Sequence, residues 1–299
     1  MNGARGGRRA QVDHPQSALV RRTEQEILAM CAGDDPWCRF LRGYLSHASR
    51  RLAWNVHLVD RHLAGGARWL DIGSFGVEAM CLLRRRSDLD VRAVSYEGGE
   101  LALVGERIVS TGSSAPAAAR LKIERSDVER ELLPFEDRAF DVVTCFECIE
   151  HLRSTPRPLL DQIRRVLKPD GRLLLTTPNI VGSRAMIRLL AGKHPQENPR
   201  YHRDAAYGIV HPREYTLREL VALLESRGLA VRESASLYFR RRSAFDLIAQ
   251  GLACLTRPLG GWLLGLGPQP VVVGDNLFVV AQPHDGPRED WPALVFEPA

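Results

Sequence analysis

The chain has 299 residues, 44% of them hydrophobic and 7% aromatic, with a formal net charge of +5. That length accommodates one large domain or one domain with appendages, and that composition belongs to a soluble globular chain rather than a disordered or fibrous one. The cation excess is mild, partly sits in a Gly-rich start with Arg5, Arg8 and Arg9, and is not interleaved with aromatics, so no nucleic-acid stripe is read from it.

Residues 1–15 read as a disordered start. It has no secretory signal pattern, so the six cysteines (Cys31, Cys38, Cys81, Cys145, Cys148 and Cys254) are expected to be reduced thiols in the cytoplasm. Cys145-Phe146-Glu147-Cys148 has the C-x-x-C form, but no second pair or paired histidines stand at zinc-finger spacing. Residues 16–64 read helical, with apolar residues recurring from Leu19-Val20 to Leu58-Val59 at an approximate helical period. Asp34-Asp35-Pro36 marks a break, with Pro36 suited to a first helical turn.

Arg68-Trp69-Leu70-Asp71-Ile72-Gly73-Ser74-Phe75-Gly76 follows: an apolar strand, an acid, a glycine turn and then a helical stretch from Val77. This is how an open α/β sheet builds a nucleotide-type site at its carboxyl edge. No Lys-Ser/Thr follows, which excludes a P-loop. A second strand ends at Tyr96-Glu97, and a third, Leu121-Lys122-Ile123-Glu124, leads to Ser126-Asp127-Val128. Leu133 to Val143 is a turn feeding a fourth strand, and Arg165 to Asn179 is a helix end, a Pro-Asp-Gly turn and a fifth strand. Strand and helix alternate throughout, which implies a mostly parallel sheet with helices on both faces.

Residues 180–212 form a long polar and aromatic stretch placed where a substrate lid would sit, with Tyr201 and His202 as candidate acceptor contacts. Thr216 and Glu219 make a capping box, and Gly228 suits the position after the helix. Two last strands lie near 230–238 and 276–282. Between them, residues 243–273 are apolar but interrupted by Asp246, Arg257, Pro258 and glycines, which argues against a transmembrane span. That segment reads as core or homodimer packing, as an interfacial helix pair flanked by Arg240-Arg241-Arg242, or as a wall for a bulky acceptor. Residues 283–299 form a Pro-rich tail.

In this order the motifs resemble the class I S-adenosyl-L-methionine-dependent methyltransferases, over residues 65–282. The resemblance implies a Rossmann-like α/β fold. Its seven-stranded, mostly parallel sheet has the last strand inserted antiparallel between the fifth and sixth. It implies a cofactor site at Asp71, Gly73, Ser74, Phe75, Glu97, Asp127, Val128 and Phe146, with Glu97 on the ribose hydroxyls and Asp127 and Val128 on the adenine edge. N-terminal helices that cover the cofactor are common in the family; a dimer contact is the alternative. One departure stands out: Phe75 and Val77 occupy the places of the family's second and third loop glycines.

The sharpest local motif is Phe146-Glu147-Cys148-Ile149-Glu150-His151-Leu152. On a helix, Glu147, Glu150 and His151 would share one face. Two carboxylates and an imidazole can hold a divalent cation or supply a general base. His211, ahead of Pro212-Arg213-Glu214-Tyr215-Thr216, adds a second histidine on the same sheet edge. This set resembles the Glu-x-x-Glu-His motif of ubiquinone-pathway O-methyltransferases and of small-RNA 2′-O-methyltransferases. The resemblance implies Mg²⁺, Mn²⁺ or Zn²⁺ on Glu147, Glu150, His151 and His211. Without metal, His151 is the first candidate base and His211 the second. The expected activity is O-methylation of a small acceptor such as a sugar, a polyketide or other natural product, a quinone-type phenol or a lipid-linked glycan. Peripheral membrane contact through 243–273 is one option. The alternatives are an RNA 2′-O-methyltransferase and a non-catalytic scaffold on the same fold.

Overall fold

The computed structural model describes residues 17–34, 36–73, 75–95, 105–109, 119–196, 211–240, 243–248, 250–251, 254 and 273–285. Two helices come first, α1 (Ala18–Met30) and α2 (Pro36–His62). Ser17 caps α1, its hydroxyl accepting from the Val20 amide at 3.2 Å. The sheet then assembles from β1 (Arg68–Ile72), β2 (Asp90–Ser95), β3 (Gly105–Val109), β4 (Ala119–Arg125), β5 (Phe140–Phe146), β6 (Leu167–Pro178), β7 (Leu229–Leu237) and β8 (Asn276–Pro283). Helices α3 (Val77–Leu83), α4 (Arg157–Val166), α5 (Ser183–Leu190) and α6 (Leu217–Ser226) and a 3₁₀ turn (Ile149–His151) connect them.

The strand order is β3-β4-β2-β1-β5-β6-β8-β7. Strands β4, β2, β1, β5 and β6 pair in parallel, and β8 runs antiparallel between β6 and β7. All seven expected strands form, in the expected arrangement. An eighth, β3, pairs antiparallel with the β4 edge; its short Gly-Glu-Arg-Ile-Val run carries no alternating pattern to announce it.

Successive residues of the central strands enter opposite cores. Trp69, Val142 and Leu174 face α1, α2 and α3, while Leu70, Val143 and Leu175 face α4 and α6. This is the two-residue period of a strand buried on both faces, and it explains why β1 and β5 read as nearly unbroken apolar runs. The Pro-Asp-Gly element is not a separate turn before β6. The ladder already pairs Phe140 with Leu167, resumes at Val142 and Arg172, and bulges between them. Lys168 Nζ closes that bulge on Asp141 Oδ1 at 2.7 Å.

The expected capping box forms at α6. The Glu219 amide donates to Thr216 Oγ1 at 3.2 Å, and the Thr216 amide donates to Glu219 Oε2 at 2.9 Å. Gly228 follows with φ 71°. A bridge between Asn179 and Tyr215 ties the approach to α6 to the carboxyl end of β6, which brings His211 to the edge reached by β5. The 180–212 stretch is not loop throughout, because α5 occupies its first part.

Among the described residues no helix is long and apolar enough to cross a membrane. Most of the 243–273 segment lies outside the described residues. Its start is a helical turn in which the Ser243 hydroxyl and amide both donate to Asp246 Oδ2, at 2.8 and 2.6 Å. Phe245, Leu247 and Ile248 are exposed there, so core packing does not account for those three. Arg240 is not a solvated cation: its guanidinium donates to both Asp246 oxygens at 2.7 Å and to Asp275 Oδ2 at 2.9 Å.

Candidate active site

The first loop leaves β1 at Asp71, which is buried. A hydrogen-bonded chain fixes that carboxylate. Trp69 Nε1 donates to Thr144 Oγ1 at 2.9 Å, and the Thr144 hydroxyl donates to Asp71 Oδ1 at 2.7 Å. Gly73 has φ 74°, and its amide donates to the Val94 carbonyl at 2.9 Å. A side chain there would strain the backbone and meet Cys148 Sγ at 2.9 Å. Gly76 has φ 79° and starts α3. The loop therefore keeps two left-handed glycines, at the first position and one residue off the family's spacing.

Phe75 is absorbed by α2. Its ring stands edge-on to Phe40 and Tyr44, with centroids 5.5 and 5.0 Å away. Trp37 Nε1 donates to its carbonyl at 2.9 Å. Between this loop, α2 and the end of β5 lies an open cleft. Asp71, Gly73, Phe75 and Phe146 line it, four of the residues expected at the cofactor. Ser74 and Glu97 lie outside the described residues, as do Tyr201 and His202. Asp127 and Val128 are outside the cleft lining. Asp127 holds the turn after β4, accepting from the Glu129 amide at 3.1 Å, and Val128 packs on the α4–α6 core.

The cleft also contains polar residues that the sequence reading did not identify: Tyr44, Arg51 and Asn55 on α2, and Glu78 on α3. Arg51 Nη1 donates to Glu147 Oε2 at 2.6 Å, and Nη2 donates to the Tyr44 hydroxyl. Asn55 Nδ2 donates to Glu78 Oε1 at 3.0 Å. Burial, with Asp71 close by, pushes the Glu78 carboxyl up to about 7. A signal existed: residues 44, 51 and 55 fall at helical spacing on the stripe of α2 that otherwise buries Leu41, Ala48 and Leu52.

The acid–histidine motif is arranged differently from the expected helix face. Glu147 has φ 46° and precedes the 3₁₀ turn, so the chain reverses and the i, i+3 and i+4 relations are lost. Glu147 faces α2 and β8 instead, bonded to Arg51 and to Asn276 Nδ2 at 3.3 and 3.2 Å. Its place in the metal set is corrected accordingly. Glu150, His151 and His211 do come together, with one ligand atom from each lying within 4.8 Å of the others. The two imidazole centroids are 4.8 Å apart at 72°.

Glu150 is fully buried, and its Oε2 accepts from Thr177 Oγ1 at 2.9 Å while Oε1 has no donor. Burial and the nearby Glu147 charge raise its carboxyl well above the usual range. His211 Nδ1 and Glu214 Oε1 are hydrogen-bonded at 2.8 Å. A buried acceptor without a donor, two imidazoles and outer partners on Glu150 and His211 make a donor set that could hold a divalent cation. The same residues can also take up an acceptor proton.

This geometry is that of a sheet-edge cleft with an acid–histidine cluster beside it. The chain belongs to the methyltransferase domain family, whose model matches residues 8–234. It is similar to a ubiquinone biosynthesis O-methyltransferase of Acinetobacter baylyi, 27% identical over 165 residues that make up 51% of this chain and 62% of that protein. It is also similar to a 27-O-demethylrifamycin SV methyltransferase of Amycolatopsis mediterranei, 32% identical over 126 residues, 40% of this chain and 43% of that one. The chain spans 51% of the length of a probable S-adenosylmethionine-dependent methyltransferase of Mycolicibacterium smegmatis, with 28% identity. A solved S-adenosylmethionine-dependent methyltransferase from Archaeoglobus fulgidus shares the fold, with a TM-score of 0.50 and 16% identity over 83% of this chain and all of that one.

Proposed function

We propose that the chain is an S-adenosylmethionine-dependent O-methyltransferase for a small-molecule hydroxyl, assisted by a divalent cation. The observation that carries this reading is the pairing of the Asp71–Gly73 cleft with the Glu150, His151 and His211 cluster at the same sheet edge. The bound cofactor supplies a methyl group on a sulfonium centre, already a good leaving group. Asp71 and Glu78 offer carboxylates to its ammonium, and Arg51 offers a guanidinium to its carboxylate. Phe75 and Phe146 wall the cleft. The cluster holds the acceptor oxygen in line and removes one proton, with His151 or His211 as the base. A cation on Glu150, His151 and His211 would lower the hydroxyl's pKa.

The relatives named for ubiquinone biosynthesis and for a rifamycin support a small hydroxylated acceptor, a phenol or a polyketide alcohol. The test is transfer of labelled methyl to a panel of phenols, polyketide alcohols, sugars and lipid-linked glycans, with RNA in parallel and with and without chelator. Cation-dependent label in a small acceptor supports the reading. Label in RNA ribose supports the RNA alternative, and label unaffected by chelation reduces the cluster to acid–base duty.

A further inference from the structure

Arg51 is a part-buried cation, its side chain 15% exposed, and among the described residues lining the cleft it is the one guanidinium or ammonium. A buried cation needs an anion beside it, because removing that partner leaves an uncompensated charge. In the structure the partner is Glu147, at 2.6 Å. Two features make this pairing exchangeable. Glu147 sits in the left-handed region at φ 46°, which is strained for a residue with a side chain. Its carboxylate is also held from the other side by Asn276 on β8, so it keeps a donor if Arg51 leaves. Arg51 in turn keeps Tyr44.

We propose that Glu147 stands in for the cofactor's α-carboxylate, answering Arg51 until the cofactor displaces it and leaves Glu147 on Asn276 alone, without its cation. This rests on the cofactor reading above. The chain positions Glu147 between the two halves of the site. Phe146 ends β5 and Glu147 follows it, both in the cleft lining; Glu150 and His151 lie in the next turn, where His211 meets them. Glu147 already acts electrostatically on Glu150. Loading the cleft therefore leaves a carboxylate without its cation, held by Asn276 alone, beside the cluster that would receive the acceptor or a cation. Acceptor handling is thus ordered after cofactor binding. Glu147 is a positioning residue in this account.

The test uses calorimetry on the full chain with two ligands. S-adenosylhomocysteine carries the α-carboxylate, and 5′-methylthioadenosine lacks the whole amino-acid end. Glu147→Gln should tighten S-adenosylhomocysteine binding several-fold, because Arg51 no longer leaves an ion pair. Arg51→Gln should weaken it by about tenfold or more, the size of a charge-assisted pair. Neither substitution should change 5′-methylthioadenosine binding, which also certifies that each variant is folded. In the wild type, the Glu147 carboxyl ¹³C resonance should move with S-adenosylhomocysteine and stay in place with 5′-methylthioadenosine, a readout that needs no variant. If Glu147→Gln weakens S-adenosylhomocysteine binding or leaves it unchanged, or the resonance answers both ligands alike, the exchange is wrong and the cofactor site stands. If wild type binds neither ligand, the cofactor reading itself has failed and the proposal falls with it.

Discussion

The indole of Trp37 and the carbonyl of Phe75 are joined by a 2.9 Å hydrogen bond, which ties the first turn of α2 to the loop that leaves β1. Phe75 takes the place of a glycine expected there and spends its ring on Phe40 and Tyr44. The departure from the family's loop is therefore compensated by the N-terminal helices, and α2 is a fixed wall of the cleft.

Trp37→Phe should remove that bond while keeping most of the packing. Urea denaturation should show a loss of about 1 kcal/mol, the net worth of one hydrogen bond. S-adenosylhomocysteine affinity should fall by a few-fold in calorimetry. A loss of stability with unchanged affinity would remove α2 from the site.

Gly73→Ala carries two costs, the left-handed φ of 74° and the 2.9 Å approach to Cys148 Sγ. Left-handed backbone alone costs about 1–2 kcal/mol. Cys148→Ala removes the sulfur contact, so Gly73→Ala should cost less in that background without becoming neutral. A double-mutant cycle measures the difference, and strict additivity would mean that Cys148 does not crowd the loop.

Glu78 provides a pH test with a defined sign. Its folded pKa, about 7, is raised above the usual carboxyl value of 4.5. The unfolded chain therefore loses its proton first, and stability falls as pH rises from about 4.5 to about 7, then levels off. Glu78→Gln retains an oxygen for Asn55 Nδ2 and brings an N–H toward the Asn55 Oδ1 acceptor, which has no donor. That variant should lack this fall and be more stable than wild type above pH 7 by on the order of 2 kcal/mol. Parallel stability curves for the two proteins between pH 4.5 and 8 would contradict the assignment.

Much of the fold was legible because its signals are local. The β1 acid and glycine and the Thr216–Glu219 box each declare an element boundary within a few residues, whereas Pro-Asp-Gly reads as a turn and is a bulge within β6. The family resemblance implies Asp71, Gly73, Phe75 and Phe146 at the cofactor, and these four line the cleft. The spacing of the motif predicts a helix face for Glu147, but its own left-handed backbone turns the side chain to α2. Arg51 and Asn55 escaped because their partners are distant in sequence: Glu147 lies ninety-six residues from Arg51 and Glu78 twenty-three from Asn55. A polar residue on an apolar helix stripe gives the position of a partner's face but not its identity.

Glu150→Gln separates a cation site from a structural acid. The variant relieves a buried, donor-poor carboxyl and should raise the melting temperature measured without added metal. It should also abolish Mn²⁺ binding followed by electron paramagnetic resonance, as should replacing His151 and His211 together by alanine. Mn²⁺ binding that survives both changes would place any cation elsewhere.

The most direct measurement is a crystal structure of the chain with S-adenosylhomocysteine. The account predicts the ligand in the cleft between α2 and the ends of β1 and β5, in contact with Asp71, Gly73 and Phe146, its carboxylate on Arg51 and its sulfur turned toward Glu150, His151 and His211. A ligand bound elsewhere, or in that cleft with its sulfur facing away from the cluster, would contradict it.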